Sequence, residues 1–392
     1  MAPLTRTQAT FAAPIVESRK WVAGVTFPAD RPLINVSQAA PVEPPPQALR
    51  AAMADFVLTR PEAHLYGPVL GNAPLRDALA AQISAHYGGA VTGAQVGITA
   101  GCNQAFAATM AALTGEGDEV ILPTPWYFNH KMWLDMGGVR SVPLPTGADM
   151  LPDPEQAAAL ITPRTRAIVL VSPNNPAGVE YPASLMRAFY DLAARHNLRL
   201  VVDETYRDFH SVSGAPHDLF TDPDWDRVLV HLYSFSKTYR LTGHRVGAVV
   251  GSRDLMLNIE KFLDTVAICP GQPGQFAALW GIENLSQWVA GERAEILDRR
   301  AAITQGFAPL AAQGWQLKSA GAYFAYVAHP FAMPSDQLAQ RLVHDASILL
   351  LPATMFVPPD DPTGPRDLRI AFANIDRSGI TTLFERLQQL PF

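Results

Sequence analysis

The chain has 392 residues, 48% of them hydrophobic, with 30 Lys and Arg against 36 Asp and Glu and a formal charge of -6. Single cores usually stop growing at about 250–300 residues, so this length predicts a large domain and a smaller one. The slightly acidic balance and the lack of a basic run exclude an electrostatic footprint for nucleic acid or an anionic membrane, which leaves a small molecule as the default partner.

Two cysteines, Cys102 and Cys269, supply neither a disulfide framework nor a Cys-x-x-Cys spacing for metal or redox work, and no metal site is expected. In the first twenty residues Arg6, Glu17, Arg19 and Lys20 surround a short apolar stretch, residues 11–16, too brief for the core of a secretion signal. No run approaches the roughly 20 apolar residues of a membrane helix, so a soluble, cytoplasmic protein is expected.

Along the chain, residues 41–46 (Pro-Val-Glu-Pro-Pro-Pro) cannot supply backbone donors regularly and read as an extended connection after an N-terminal arm. From about Gly93 to Gly251, apolar runs at residues 120–122, 167–171, 198–202 and 228–232 alternate with Ala/Leu-rich helical stretches. This alternation predicts crossover units and a mostly parallel sheet covered by helices on both faces, an α/β fold. From about Gly281 a long helical stretch leads into strand patterns at 323–327, 348–351 and 368–372 and a helix over 381–390, the pattern of a smaller α+β domain. The expected division is 1–45 for the arm and part of the small domain, 46–280 for the large domain and 281–392 for the rest of the small one.

Polar residues cluster just after several of the apolar runs, where open α/β sheets bind ligands. The sequence Ser234-Phe235-Ser236-Lys237 follows the run ending at Leu232 and continues to Gly243-His244-Arg245-Val246-Gly247. Residues 98–105 read as a strand, a turn at Gly101 and an Ala-rich helix whose free amides suit an anion. Ser172-Pro173-Asn174-Asn175-Pro176-Ala177-Gly178 follows another run, and Asp203 stands just beyond a third. Taken alone, these are a surface lysine, a tight turn, a loop and a helix cap. Their order along the chain carries more information than any one of them.

That order, with Ser-x-x-Lys and an Arg eight residues after the Lys, resembles the class I/II (fold-type I) pyridoxal-phosphate-dependent aminotransferases, over about residues 33–390 and seven motifs. The resemblance implies a Schiff base between Lys237 and pyridoxal 5'-phosphate, with Lys237 as the base that moves the Cα proton. It implies Ser234, Arg245, Cys102 and Asn103 as phosphate donors, Asn175 and Tyr206 on the phenolate oxygen, Asp203 on the ring nitrogen and Tyr127 as the stacking aromatic. It also implies Arg369, in Asp367-Leu368-Arg369-Ile370, as the clamp for the substrate carboxylate. The alternation of Leu368, Ile370 and Phe372 by itself also allows a solvent-facing Arg369. Tyr66, in Tyr66-Gly67-Pro68, would reach the phosphate of a neighbouring subunit and make the enzyme an obligate homodimer.

Two positions depart from the family pattern. Ala39-Ala40-Pro41 replaces Gly-x-Pro, placing a methyl group of Ala39 beside the substrate, and His130 stands where Tyr is frequent. Both bear on the substrate side chain, and the aromatic-rich stretch 125–130 predicts an apolar or aromatic one, with amino acids and 2-oxo acids as substrates. Three other readings compete. A nucleotide-dependent dehydrogenase lacks its Gly-x-Gly-x-x-Gly, since residues 88–93 have the wrong spacing. A regulator's effector domain lacks a basic DNA-reading module. A lyase, decarboxylase or cyclopropane-carboxylate synthase-like enzyme on the same scaffold stays open, because fold does not select which Cα bond breaks.

Overall fold

The computed structural model describes residues 4–390. After a short strand β1 (Ile34–Asn35) come β2 (Val96–Thr99), β3 (Glu119–Thr124), β4 (Arg140–Pro145), β5 (Thr165–Val171), β6 (Arg199–Asp203), β7 (Leu229–Ser234) and β8 (Gly247–Val250). These last seven form one sheet in the order β2-β8-β7-β6-β5-β3-β4. The ladders from β4 through β3, β5 and β6 to β7 are parallel, as the βαβ alternation predicts. The exception is β8, antiparallel to both β7 and β2. Between β7 and β8 the chain makes only the four-residue helix Phe235–Thr238 and a single turn at Thr242–His244, too little to carry it back for a parallel return.

Both faces of the sheet are dry along its central strands β5 to β8, and the two-residue period of the strands divides the side chains between two cores. Leu200 and Val202 of β6 join Leu229 and Tyr233 of β7 on one face. Val201, Val230 and Leu232 join Phe106, Leu122 and Val169 on the other. The same alternation therefore sends Asp203 to the second face and its neighbour Glu204 to the first. Glu204 is buried there against Tyr87, whose hydroxyl donates to it, and His231, whose Nε2 lies 2.8 Å from Oε2. His217 Nε2 is 3.3 Å from its other oxygen. Burial alone would raise the Glu204 carboxyl, but the two imidazoles beside it hold it well below the usual carboxylate range.

The C-terminal part adds β9 (Gln316–Gly321), β10 (Phe324–Ala328), β11 (Ile348–Leu349), β12 (Leu351–Pro352) and β13 (Asp367–Ala371). Four of them make an antiparallel sheet, β12-β13-β10-β9, and β1 pairs in parallel with β11, so the N-terminal arm joins this layer. Its core takes Ala325, Val327, Leu368 and Ile370 from one face of the sheet, packed on the last helix. That helix runs Arg377–Gln388 and so starts four residues before the sequence pattern suggested. The Asp376 carboxylate accepts from Gly379 N at 2.7 Å and nucleates the turn upstream of the first apolar position. Among the described residues, no helix is long and apolar enough to cross a membrane.

Candidate active site

At the carboxyl ends of β5, β6 and β7 lies a cavity of about 300 Å³. Lys237, Asp203, Asn175, Arg245, Tyr206 and Arg369 all line it. Tyr127, Cys102, Asn103, Ser234 and Ala39 complete the convergence of the residues singled out in the sequence, Tyr66 and His130 excepted.

Lys237 follows β7 in the short helix Phe235–Thr238, which Ser234 caps by accepting from Ser236 N at 3.2 Å. The Ser234 hydroxyl hydrogen stays free to be donated. Lys237 is partly open along its length, but its amine is enclosed in the cavity and donates to the Ala39 carbonyl. Enclosure, followed by the positive charges of Arg245 and Arg369, pulls its pKa from 10.5 to about 8. An amine so placed is a usable nucleophile and base near neutral pH.

Asp203 is the last residue of β6 and only 3% exposed. One oxygen accepts from Thr205 N at 3.0 Å and Thr205 Oγ1 at 2.7 Å, and the other sits 3.2 Å from His130 Nε2. Burial pushes this carboxyl up, yet the His130 contact and the Thr205 bonds outweigh it and keep the pKa below the ordinary value. The cavity thus presents a fixed negative charge. Cys102 turns its thiol toward the same carboxylate, Sγ lying 3.6 Å from Oδ1. Its offering to an anion at the helix start is therefore the backbone N–H, not the side chain. The Cys102–Leu113 helix begins from Gly101 at φ 86°, a left-handed conformation that suits Gly, with Arg245 packed against its Cα. First-turn amides of that helix have no carbonyl of their own to pair with.

Arg369 is 2% exposed, on the face of β13 opposite Leu368 and Ile370, which resolves the ambiguity left by the strand alternation in favour of burial. It lies over the rings of Phe324 and Phe356 at 5.0 and 4.8 Å. Its Nη1 donates to Asn175 Oδ1 at 2.9 Å and its Nη2 to the Ser37 carbonyl, while Nε finds no partner. Burial lowers its pKa to about 10, still well above neutrality. Among the described residues no carboxylate forms an ion pair with it. A buried cation without a counter-ion is costly, so this guanidinium is built to receive an anion from outside.

Tyr206 is buried against Tyr323 and Phe324, and burial first, then the Tyr127 phenol, raise it far above the usual phenol range, so it stays a proton donor. Tyr127 Oη donates to Asn103 Oδ1 at 3.2 Å, which ties the aromatic wall to the helix start. Burial, followed by the negative charge of Asp203, raises the Tyr127 phenol to about 12.

These features coincide with a known family. Residues 31–387 match the family described as "Aminotransferase class I and II". The chain is a class I/II aminotransferase. It is 31% identical to an arginine–pyruvate transaminase of Pseudomonas aeruginosa over 75% of each chain. It is 25% identical to an aromatic aminotransferase of Arabidopsis thaliana over 98% of this chain and 95% of the other. The solved N-succinyldiaminopimelate aminotransferase of Mycobacterium tuberculosis superposes with a TM-score of 0.88 at 25% identity, covering 99% of each chain.

Class I/II aminotransferases depend on pyridoxal phosphate, and the donor set of this aminotransferase fits that cofactor: an amine of lowered pKa, an ionised carboxylate, and a guanidinium beside a helix N-terminus meet in one cavity.

Parts of the sequence reading are corrected by the geometry. His130 does not face a substrate. It is buried, stacked on Phe106 at 3.9 Å and directed at Asp203. Within residues 125–130 only Tyr127, Phe128 and Asn129 line the cavity, while Trp126 packs into the core beneath. Tyr66 is 80% exposed, outside its own chain's cavity. Sequence reasoning missed Ile15, Gln38, Thr205 and Ser236, which also line it. Thr205 follows Asp203 by two residues, the spacing at which a hydroxyl can bond a preceding carboxylate, and that signal was available.

Proposed function

We propose that this enzyme transfers the amino group of an L-amino acid to a 2-oxo acid with Lys237, Asp203 and Arg369 as its central groups. The observation that carries the assignment is the pairing, in one cavity, of an amine of lowered pKa with a buried guanidinium that has no counter-ion. Pyridoxal phosphate, when bound, supplies the aldehyde that takes up the amino group and a ring that draws electrons from Cα. Arg369, held level by Asn175, clamps the substrate carboxylate as a two-pronged donor. Lys237, whose pKa of about 8 leaves a share of the amine unprotonated near neutral pH, takes the proton from Cα and returns it. Asp203 would keep the ring nitrogen protonated, since unit charges about 4 Å apart attract by about 4 kcal/mol at an effective dielectric of about 20. Asn175 and Tyr206 would hold the ring hydroxyl oxygen, Tyr127 would wall the ring, and Ser234, Arg245 and the amides of Cys102 and Asn103 would hold the phosphate. Nothing in the cavity favours the lyase or decarboxylase alternative.

The reading is tested by the absorption spectrum of the purified holoenzyme before and after an amino-acid mixture is added. Conversion to the pyridoxamine form, reversed by 2-oxo acid, is the expected result; ammonia or carbon dioxide release without that conversion would favour the alternative.

Residues 1–45, 46–280 and 281–392 serve in this proposal as the arm with part of the small domain, the large cofactor domain and the small C-terminal domain, and two unpaired thiols suit a reducing cytoplasm. A homodimer completes the site. Tyr66 lines an apolar surface hollow with Phe56 and Leu65, and Tyr66 and Leu65 are each more than half exposed, which favours a second copy covering it. Sedimentation is expected to give a dimer, and Tyr66→Phe to weaken cofactor retention on dilution about tenfold, one lost charge-assisted hydrogen bond. A monomer with full activity would refute the shared site.

A further inference from the structure

The cavity has a second wall that the chemistry above does not use. Ile15, from the helix Pro14–Val22, meets Phe128 and Tyr127 there, and Phe356 and Leu351 pack behind them. The helix is set over the cavity from both sides. Upstream, Thr10 Oγ1 donates to Asp135 Oδ2 at 3.1 Å and Arg6 to the Gly137 carbonyl at 3.3 Å, both at the end of the helix Phe128–Gly137. Downstream, Trp21 is half-buried against the core of the C-terminal layer. Within the helix, Ser18 is fully buried and donates to the Ile15 carbonyl at 3.1 Å. Ile15 is therefore a fixed wall, not a loose end.

The charges around the cavity make the wall selective. Three cations line it, Lys237, Arg245 and Arg369, and all three have work in the transamination reading on which this inference rests. Among the described residues of this chain no fourth cation does. Arg19, one turn beyond Ile15, bonds Gln38 Oε1 at 3.3 Å from the exposed side and is not part of the lining. A side-chain carboxylate pressed against Ile15 and Phe128 would lose water without gaining a counter-charge, whereas an alkyl or aryl side chain would lose only unfavourable hydration.

We infer that the enzyme selects amino acids with medium to large apolar side chains, such as leucine, methionine and phenylalanine, and that Ile15 with Phe128 determines this selection. The matching 2-oxo acids are the second substrates, because both halves of the exchange use one side-chain pocket.

The test measures single-turnover conversion of the holoenzyme with leucine, methionine, phenylalanine, alanine, aspartate and glutamate in turn, which needs no acceptor. Alongside it, dissociation constants of unreactive 3-phenylpropanoate and succinate are read from the bound chromophore. Apolar substrates are expected to lead aspartate by about 100-fold or more, and 3-phenylpropanoate to bind at least about 10-fold more tightly than succinate, the discrimination that an apolar pocket of several methylenes provides. Ile15→Ala is expected to lower the phenylalanine-to-alanine ratio by about 10-fold. Aspartate or glutamate at parity with leucine, an unchanged ratio in Ile15→Ala, or acidic turnover that disappears in Arg19→Ala would each overturn the inference while leaving transamination intact. No conversion with any amino acid would bring down the transamination reading and this one with it.

Discussion

Lys237→Ala is expected to give a folded protein that lacks the absorption of lysine-bound cofactor near the visible edge and whose transamination rate falls by about 10²–10⁴-fold, the usual worth of a positioned base. The loss is chemical and not structural, because the amine's one hydrogen bond is to the Ala39 carbonyl at the edge of the cavity. Retention of the band together with activity would remove the basis of the assignment. A pH series on the apoprotein sharpens it. Below about pH 8 the amine carries its proton and cannot attack an aldehyde; above it the free base prevails, so cofactor uptake should rise with pH through that value. Arg245 and Arg369 both depress this pKa, so removing either positive charge should move the midpoint upward. A midpoint near the ordinary lysine value of 10.5 would show that the amine is not enclosed as described.

Arg369→Met should separate activity from stability. With the carboxylate clamp gone, kcat/KM for every amino acid is expected to fall by about 10²–10³-fold, since a desolvated charge pair contributes about 2–5 kcal/mol when one member is truncated. The thermal midpoint of the cofactor-free protein should nevertheless be no lower than that of the parent. Arg369 is a buried cation with two aromatic faces and two neutral acceptors around it and no ion-pair partner among the described residues, so its removal strands no opposite charge. Met keeps the length needed to fill the space between Phe324 and Phe356. A fall of many degrees would identify Arg369 as a structural strut and weaken its role as a clamp.

Much of this site could be read before any coordinates, for reasons that differ from residue to residue. Asp203 and Ser234 end apolar strands, and in an open α/β sheet that position alone directs a polar side chain to the ligand edge. Lys237 and Arg245 were legible through spacing, because the short helix and turn between β7 and β8 fix how far apart they can lie. Arg369 was ambiguous: a two-residue period tells which face a side chain takes but not whether that face is wet, and here Phe324 and Phe356 from other segments close over it. His130 misled because its partner is decided by stacking on Phe106 and by the approach of β6, neither of which is local. Ile15 carries no motif at all. Its place in the wall depends on where a whole helix docks, through Thr10 at one end and Trp21 at the other. The reversal of β8 was likewise outside the periodic signal, which reports burial and not strand direction.

The adjacent carboxylates of Asp203 and Glu204 face opposite sides of the sheet, one toward the cavity and His130, the other toward His217, His231 and Tyr87. A single deletion or insertion within Arg199–Asp203 would interchange them, sending the longer acid into the catalytic chamber and the shorter one into a pocket shaped for its neighbour. The count of residues in this strand is thereby constrained more tightly than the identity of its apolar members, because only the count keeps each acid in its own chamber.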